Sequence, residues 1–79
     1  MSDMQPYRNL RRHSGVESFS IDEQQIVVRF RSGTHREYGY SLQSVGEHRL
    51  SEMKRLALQG HGLNSYINRE AEERYAWRR

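Results

Sequence analysis

Ile26-Val27-Val28-Arg29-Phe30-Arg31-Ser32-Gly33-Thr34-His35-Arg36-Glu37-Tyr38-Gly39-Tyr40 is the stretch on which the fold of this chain turns. Ile26, Val28 and Phe30 alternate with Val27, Arg29 and Arg31, the period of a strand with one buried face. Ser32-Gly33 marks a turn, and a further strand is expected from about Thr34 to Tyr40. The length of the turn sets which face carries the tyrosines, because side chains alternate along a strand. A two-residue loop at Ser32-Gly33 pairs Phe30 with His35, Val28 with Glu37 and Ile26 with Gly39, and leaves Tyr38 and Tyr40 outside with Arg29 and Arg36. A three-residue loop, Arg31-Ser32-Gly33, pairs Phe30 with Thr34, Val28 with Arg36 and Ile26 with Tyr38, which lays Tyr38 over the core. Turn chemistry favours the second, since a type I turn closed by a left-handed glycine suits Gly33, whereas a type I′ turn needs positive φ at Ser32 too. An inward Tyr38 removes most of the exposed Tyr38-Gly39-Tyr40 platform on which unpaired bases would stack.

Working outward, Val16 to Ile21 reads as a short strand closed by Asp22 and Glu23. A helix is expected from about Gln43 to Gln59, with Leu42, Val45, Leu50, Met53, Leu56 and Ala57 on one stripe. Ser41 or Ser44 would cap it, and Glu47 stands three residues after Ser44, as a capping box requires. Arg49 also falls in the stripe and is expected to snorkel at its edge. Gly60-His61-Gly62 ends this helix. A second helix is expected from near Leu63 through Ala71, Tyr75 and Trp77, because Ile67, Ala71 and Tyr75 recur every four residues and Glu70 precedes Arg74 by four. The fold class is α+β, a three-stranded antiparallel β-meander packed against one longer helix, with a second C-terminal helix. Residues 1–13 read as a flexible basic arm and residues 14–79 as a single small domain.

A domain of 79 residues buries only roughly 60% of the surface its unfolded chain exposes. With 34% apolar residues the core is thin, so pairing with itself or with a host protein would add stability. Cysteine is absent, which excludes disulfides and thiolate metal sites. No apolar run approaches the roughly 20 residues of a membrane span, and the first residues carry no signal core, so a cytoplasmic protein with no membrane partner is expected. Net charge is +3, and Lys54 is the one lysine among thirteen basic residues. Guanidinium groups give phosphate two parallel hydrogen bonds and stack on rings. RNA or single-stranded DNA is therefore a candidate partner, with Arg8, Arg11 and Arg12 of the arm gripping phosphate and Arg29, Arg31 and Arg69 as secondary contacts.

Chemistry beyond binding finds little support. His13, His35, His48 and His61 are scattered and form no HxxxH or HExxH pair, so no metal and no cofactor is expected. No Gly-x-Ser-x-Gly elbow, P-loop or Gly-x-Gly-x-x-Gly is present, and an enzyme is not expected. Gly62-Leu63-Asn64-Ser65-Tyr66-Ile67-Asn68-Arg69 joins a helix start to amide, hydroxyl, phenol and guanidinium groups. Helix capping with a packed Tyr66 accounts for it, and so does an anion held under Arg69.

Three stretches carry a resemblance to a known family. Val16-Glu17-Ser18-Phe19-Ser20-Ile21-Asp22 resembles an opening strand of the form I-x-S-V-G-Y-D. Ile26-x-Val28-x-Phe30-x-Ser32-Gly33 is similar to a second strand and turn, and Ser65-Tyr66-Ile67-Asn68 to a late S-Y-F-N element. Together they resemble the KTSC domain, a module at the C-terminus of some lysyl-tRNA synthetases and also found alone in small bacterial proteins. In strict register Arg36 takes the place of the first tyrosine of that family's Y-x-Y and Tyr38 the second. Tyr38-Gly39-Tyr40 matches only with two residues inserted, and the helix before Ser65 is longer than the family pattern. The resemblance implies RNA binding by association with a synthetase and makes Tyr38, Tyr66 and Asn68 the family-pattern positions.

Overall fold

The β-branched run Ile26-Val27-Val28 favours extended backbone. In the computed structural model, which describes residues 4–10, 12 and 14–79, it forms the central strand of an antiparallel sheet. Among the described residues the strands are β1 (Gln5–Pro6), β2 (Val16–Ile21), β3 (Gln25–Phe30), β4 (Glu37–Ser41) and β5 (Trp77–Arg78), side by side in that order. Helix α1 (Leu42–Gln59) follows β4 directly. Helix α2 (Leu63–Tyr66) then runs into a π-helical segment, Ile67–Ala71. The α+β class and the meander β2-β3-β4 match the sequence reading. The count of three strands does not, because a short strand is added at each edge.

The β3–β4 register departs from both turns weighed above. Val28 pairs with Tyr38, Ile26 with Tyr40 and Arg29 with Glu37, and the Phe30 N–H donates to the Arg36 carbonyl at 2.7 Å. Phe30 therefore opposes Arg36 across a loop of residues 31–35. This loop has the same parity as the three-residue turn, so Tyr38 is inward as expected, but opposite Val28 rather than Ile26. Tyr40, two residues on and on the same face, is set opposite Ile26 by the shift and is 1% exposed. Arg36 steadies the loop base, its guanidinium donating to the Phe30 carbonyl at 3.0 Å and to Glu17 at 2.8 Å.

A bulge in β2 serves the same inner face. Phe19 opposes Val28 and Ser18 opposes Arg29, yet Val16 opposes Phe30, because the register slips at Glu17. Without the slip Val16 would point outward; with it, Val16 joins Phe19, Ile26, Val28 and Tyr40 against the helices. From α1 come Val45, Leu50, Met53, Leu56 and Ala57, and from α2 and the π segment Leu63, Tyr66, Ile67 and Ala71. Leu42, expected on the stripe, is exposed. Its helical turn precedes a break at Gly46, whose φ of 87° and ψ of 161° only glycine adopts readily. The cap is Ser41, in a reciprocal box with Ser44 rather than one of Ser44 with Glu47. Arg49 sits half-exposed at the stripe's edge, its Nε 3.9 Å from Glu70.

Both chain ends differ from expectation. The described part of the segment read as a flexible arm is fastened to the fold. Tyr7 is buried, edge-on to Phe19, and its hydroxyl accepts the Leu63 N–H at 3.2 Å. Arg8 donates to the Leu58 and Gln59 carbonyls at the C-terminus of α1, the end of a helix that favours a cation. Residues 1–3, Arg11 and His13 lie outside the described residues.

At the other end the second helix stops at Ala71, and Tyr75 and Trp77 lie on an extended segment. Tyr75 packs edge-on to Tyr38, while Trp77 lies on the outer sheet face over Gly39, with its indole N–H donating to Gln25 at 3.3 Å. A β-carbon at residue 39 would overlap the indole. The four-residue spacing that suggested a helix thus competes with a sheet edge that offers backbone partners and a slot for the ring. Gly39→Ala should expel Trp77 and weaken β5, lowering stability by about 1–3 kcal/mol. Urea denaturation checks this, together with a shift of the emission of the single tryptophan to longer wavelength in the folded state.

Candidate functional site

Most guanidinium groups have partners. On the outer face of the sheet, Arg29 pairs with Glu37 across β3 and β4, and Arg79 reaches the other oxygen of Glu37 at 3.2 Å. Arg36 pairs with Glu17 at 2.8 Å, Arg55 with Glu52 one turn away, and Arg49 and Arg69 both stand 3.9 Å from Glu70. Of the six arginines singled out from sequence, Arg8 binds helix carbonyls, Arg29 is neutralised and Arg11 lies outside the described residues. Arg69 is 65% exposed in its side chain and lies 5.8 Å from the centre of the Tyr66 ring. Arg12 and Arg31 are exposed, and neither forms an ion pair among the described residues.

A more specific arrangement lies between the β3–β4 loop and the α2–π helical unit. There a groove of about 540 Å³ is lined by Phe30, His35, Tyr38, Asn64, Asn68, Glu72 and Arg78. The register described above places Phe30 and Tyr38 here, their ring centres 5.5 Å apart and their planes perpendicular. Tyr38 also lies nearly parallel to the buried Tyr40, at 6.4 Å and 15°. It is half-buried, neither the free platform of an outward register nor sealed in the core. Arg78 lies over the Tyr75 ring at 5.2 Å, which sets its guanidinium beside this aromatic group. Rings, carboxamides and a guanidinium on one open wall suit a planar heterocycle carrying an anionic group.

A second groove, of about 510 Å³, opens on the other side of α2, between Tyr7, Glu52, Arg55, His61, Ser65 and Arg69. Asn64 borders both grooves. Tyr66 lines this second one; burial pushes its phenol pKa up, and nearby Glu70 acts in the same direction. Of the family-pattern positions, Tyr38 and Asn68 therefore share a groove and Tyr66 does not. The π-helical segment carries Asn68 and Arg69, and widened turns of this kind recur at functional positions. Among the described residues no three His, Cys, Asp or Glu side chains could hold a metal ion, and no helix is long and apolar enough to cross a membrane.

Sequence reasoning left His35 among four scattered histidines, placed Asn64 in a segment read as a helix cap or an anion site, and put Arg78 beyond an expected helix. None of the three carries a local motif. They meet because the β3–β4 loop is two residues longer than the favoured turn and the chain end returns to β4.

The outer-face cluster yields a pH dependence. The hydrogen bond from Arg29 holds the Glu37 carboxyl below its ordinary value, opposed by burial and aided by Arg79. A carboxyl that is more acidic when folded adds stability above its unfolded pKa, and that stability is lost as pH falls through the folded value. Between pH 7 and 3, the native chain should lose stability more steeply below about pH 4.5 than Glu37→Gln, with urea midpoints as the readout.

No family model matches the chain, and no curated protein or solved structure was found similar to it.

Proposed function

We propose that this chain is a small accessory module that contacts single-stranded RNA or DNA and seats an unpaired base in the groove beside Tyr38. The observation that carries the reading is the shared lining of that groove by Tyr38, Asn68 and Arg78. An aromatic edge and face favour stacking, a carboxamide offers both donor and acceptor to a base edge, and a guanidinium attracts the phosphate that follows. A base within a duplex presents no free face, so single strands are the preferred ligand.

The KTSC resemblance supports the same reading. Tyr38-Gly39-Tyr40 aligns with the family's Y-x-Y when two residues are inserted before it, and the five-residue loop 31–35 has room for such an insertion. Tyr38 and Asn68, both family-pattern positions, line one groove. The module is a binding unit of the cytoplasm in this reading, and no residue is assigned a catalytic role. In this reading the grip by Arg8, Arg11 and Arg12 gives way to Arg78 at this groove and Arg69 at the neighbouring one. With about two phosphate contacts, the logarithm of affinity should fall against that of salt with a slope near −1.4 (about −0.7 per contact).

Self-association is the second reading. The aromatic residues Tyr75 and Trp77 near the C-terminus pack on their own sheet. Leu10 and Leu58 remain, 57% and 56% exposed and both near the C-terminus of α1. A concentration-dependent dimer in sedimentation, abolished by Leu58→Glu, would favour this reading.

Anisotropy titrations with labelled single-stranded RNA, single-stranded DNA and a duplex, at two salt concentrations, test the proposal. Single strands should bind more tightly than the duplex, and Asn68→Ala should weaken binding by about 3- to 10-fold, the worth of roughly one hydrogen bond. Arg8→Ala should lower stability and leave affinity unchanged. Equal binding of duplex and single strand, or no binding at low salt, would overturn the reading.

A further inference from the structure

Two grooves of similar volume flank α2, and we propose that they form one track, so that a single strand crosses the helix at Asn64 and seats at least two consecutive nucleotides. The inference rests on the single-strand reading above and adds a footprint and a second subsite to it. Three observations carry it. Asn64 lines both grooves. Ser14 and Gly15, neighbours in the chain, each line one of them, and a β-carbon on Gly15 would stand 4.0 Å from the Asn64 carboxamide oxygen. The ridge between the grooves on this side is therefore formed by Asn64 and the backbone beside it.

The helical unit itself divides in two stripes. Asn64 and Asn68, four residues apart, face the first groove, and Ser65 and Arg69, also four apart, face the second. Residues at this spacing are neighbours along a helix, so a chain crossing the unit meets an amide pair and then a hydroxyl–guanidinium pair. Arg69 stands over the Tyr66 ring, which leaves its guanidinium plane set at the rim of the second groove. His61 supplies a further planar ring and Ser65 an exposed hydroxyl. The Glu52 carboxylate, the acid of this wall, is held by Arg55 rather than left free to repel phosphate. Amide, hydroxyl, ring and guanidinium groups dominate both walls. This chemistry suits a polyanion with planar bases better than an apolar peptide.

A length series decides the matter. Oligouridylates of one to six nucleotides are titrated into the full chain by competition against a labelled single strand, with circular dichroism confirming that each variant folds. Affinity should rise by roughly fivefold to a hundredfold on passing from one nucleotide to two or three, then level off. Ser65→Trp, which fills the second groove from an exposed position, should remove that gain and leave the mononucleotide unaffected. Arg69→Ala, a smaller change, should reduce the gain and flatten the salt slope by about 0.7, one phosphate contact. Binding that does not grow with length, or growth untouched by both substitutions, would overturn the track while the single-base reading stands. A total failure of all lengths to bind would overturn the reading beneath it as well.

Discussion

The contact of Val28 with Tyr38, and of Ile26 with Tyr40, across β3 and β4 governs most of this structure. Strand side chains alternate, so setting this register also sets every other facing. It buries Tyr40 beneath α1, leaves Tyr38 half-buried at a groove, and brings Gly39 to the outer face opposite Val27. A bare glycine there is the reason Trp77 can lie flat and the chain end can return as β5. The same register sets Arg29 against Glu37 and so removes one cation from the surface. Moving the strand by one residue would undo all of these at once.

A thin core explains why both chain ends are drawn into the fold. Tyr7 fills space beside Phe19 and Leu63, and Trp77 covers the outer face that no helix reaches. These ends also shield the sheet. β1 contains Pro6, which lacks an N–H to offer a further strand, and β5 is two residues long; short and proline-bearing edges resist pairing with other chains.

Charge follows the same logic. A surplus of arginine suggests broad attraction to polyanions, but Glu17, Glu37, Glu52 and Glu70 each engage at least one guanidinium. Exposed pairs of this kind add little stability, and their larger effect is to lower the free positive charge. In the proposed function recognition is local, through rings and amides around α2 with a few cations beside them.

Hydrophobic period determined the α+β class, the strands over Val16–Ile21 and residues 26–30 and the stripe of the long helix, while turn chemistry ended that helix at Gly60 and turned Tyr38 inward. Those features depend on alternation, helical spacing and turn residues, which are local. The five-residue loop, the two added edge strands and the extended path of Tyr75 and Trp77 were decided only by tertiary structure. Each turns on a choice between local options of similar cost, settled by which option buries Tyr40 and gives Trp77 its slot on Gly39. The candidate site was legible in part, through Tyr38 and Asn68. Phe30 and Asn64 lay in stretches the sequence singled out, but their meeting with His35 and Arg78 was not legible, because the shared groove exists only once the register and the returning chain end have brought four segments together.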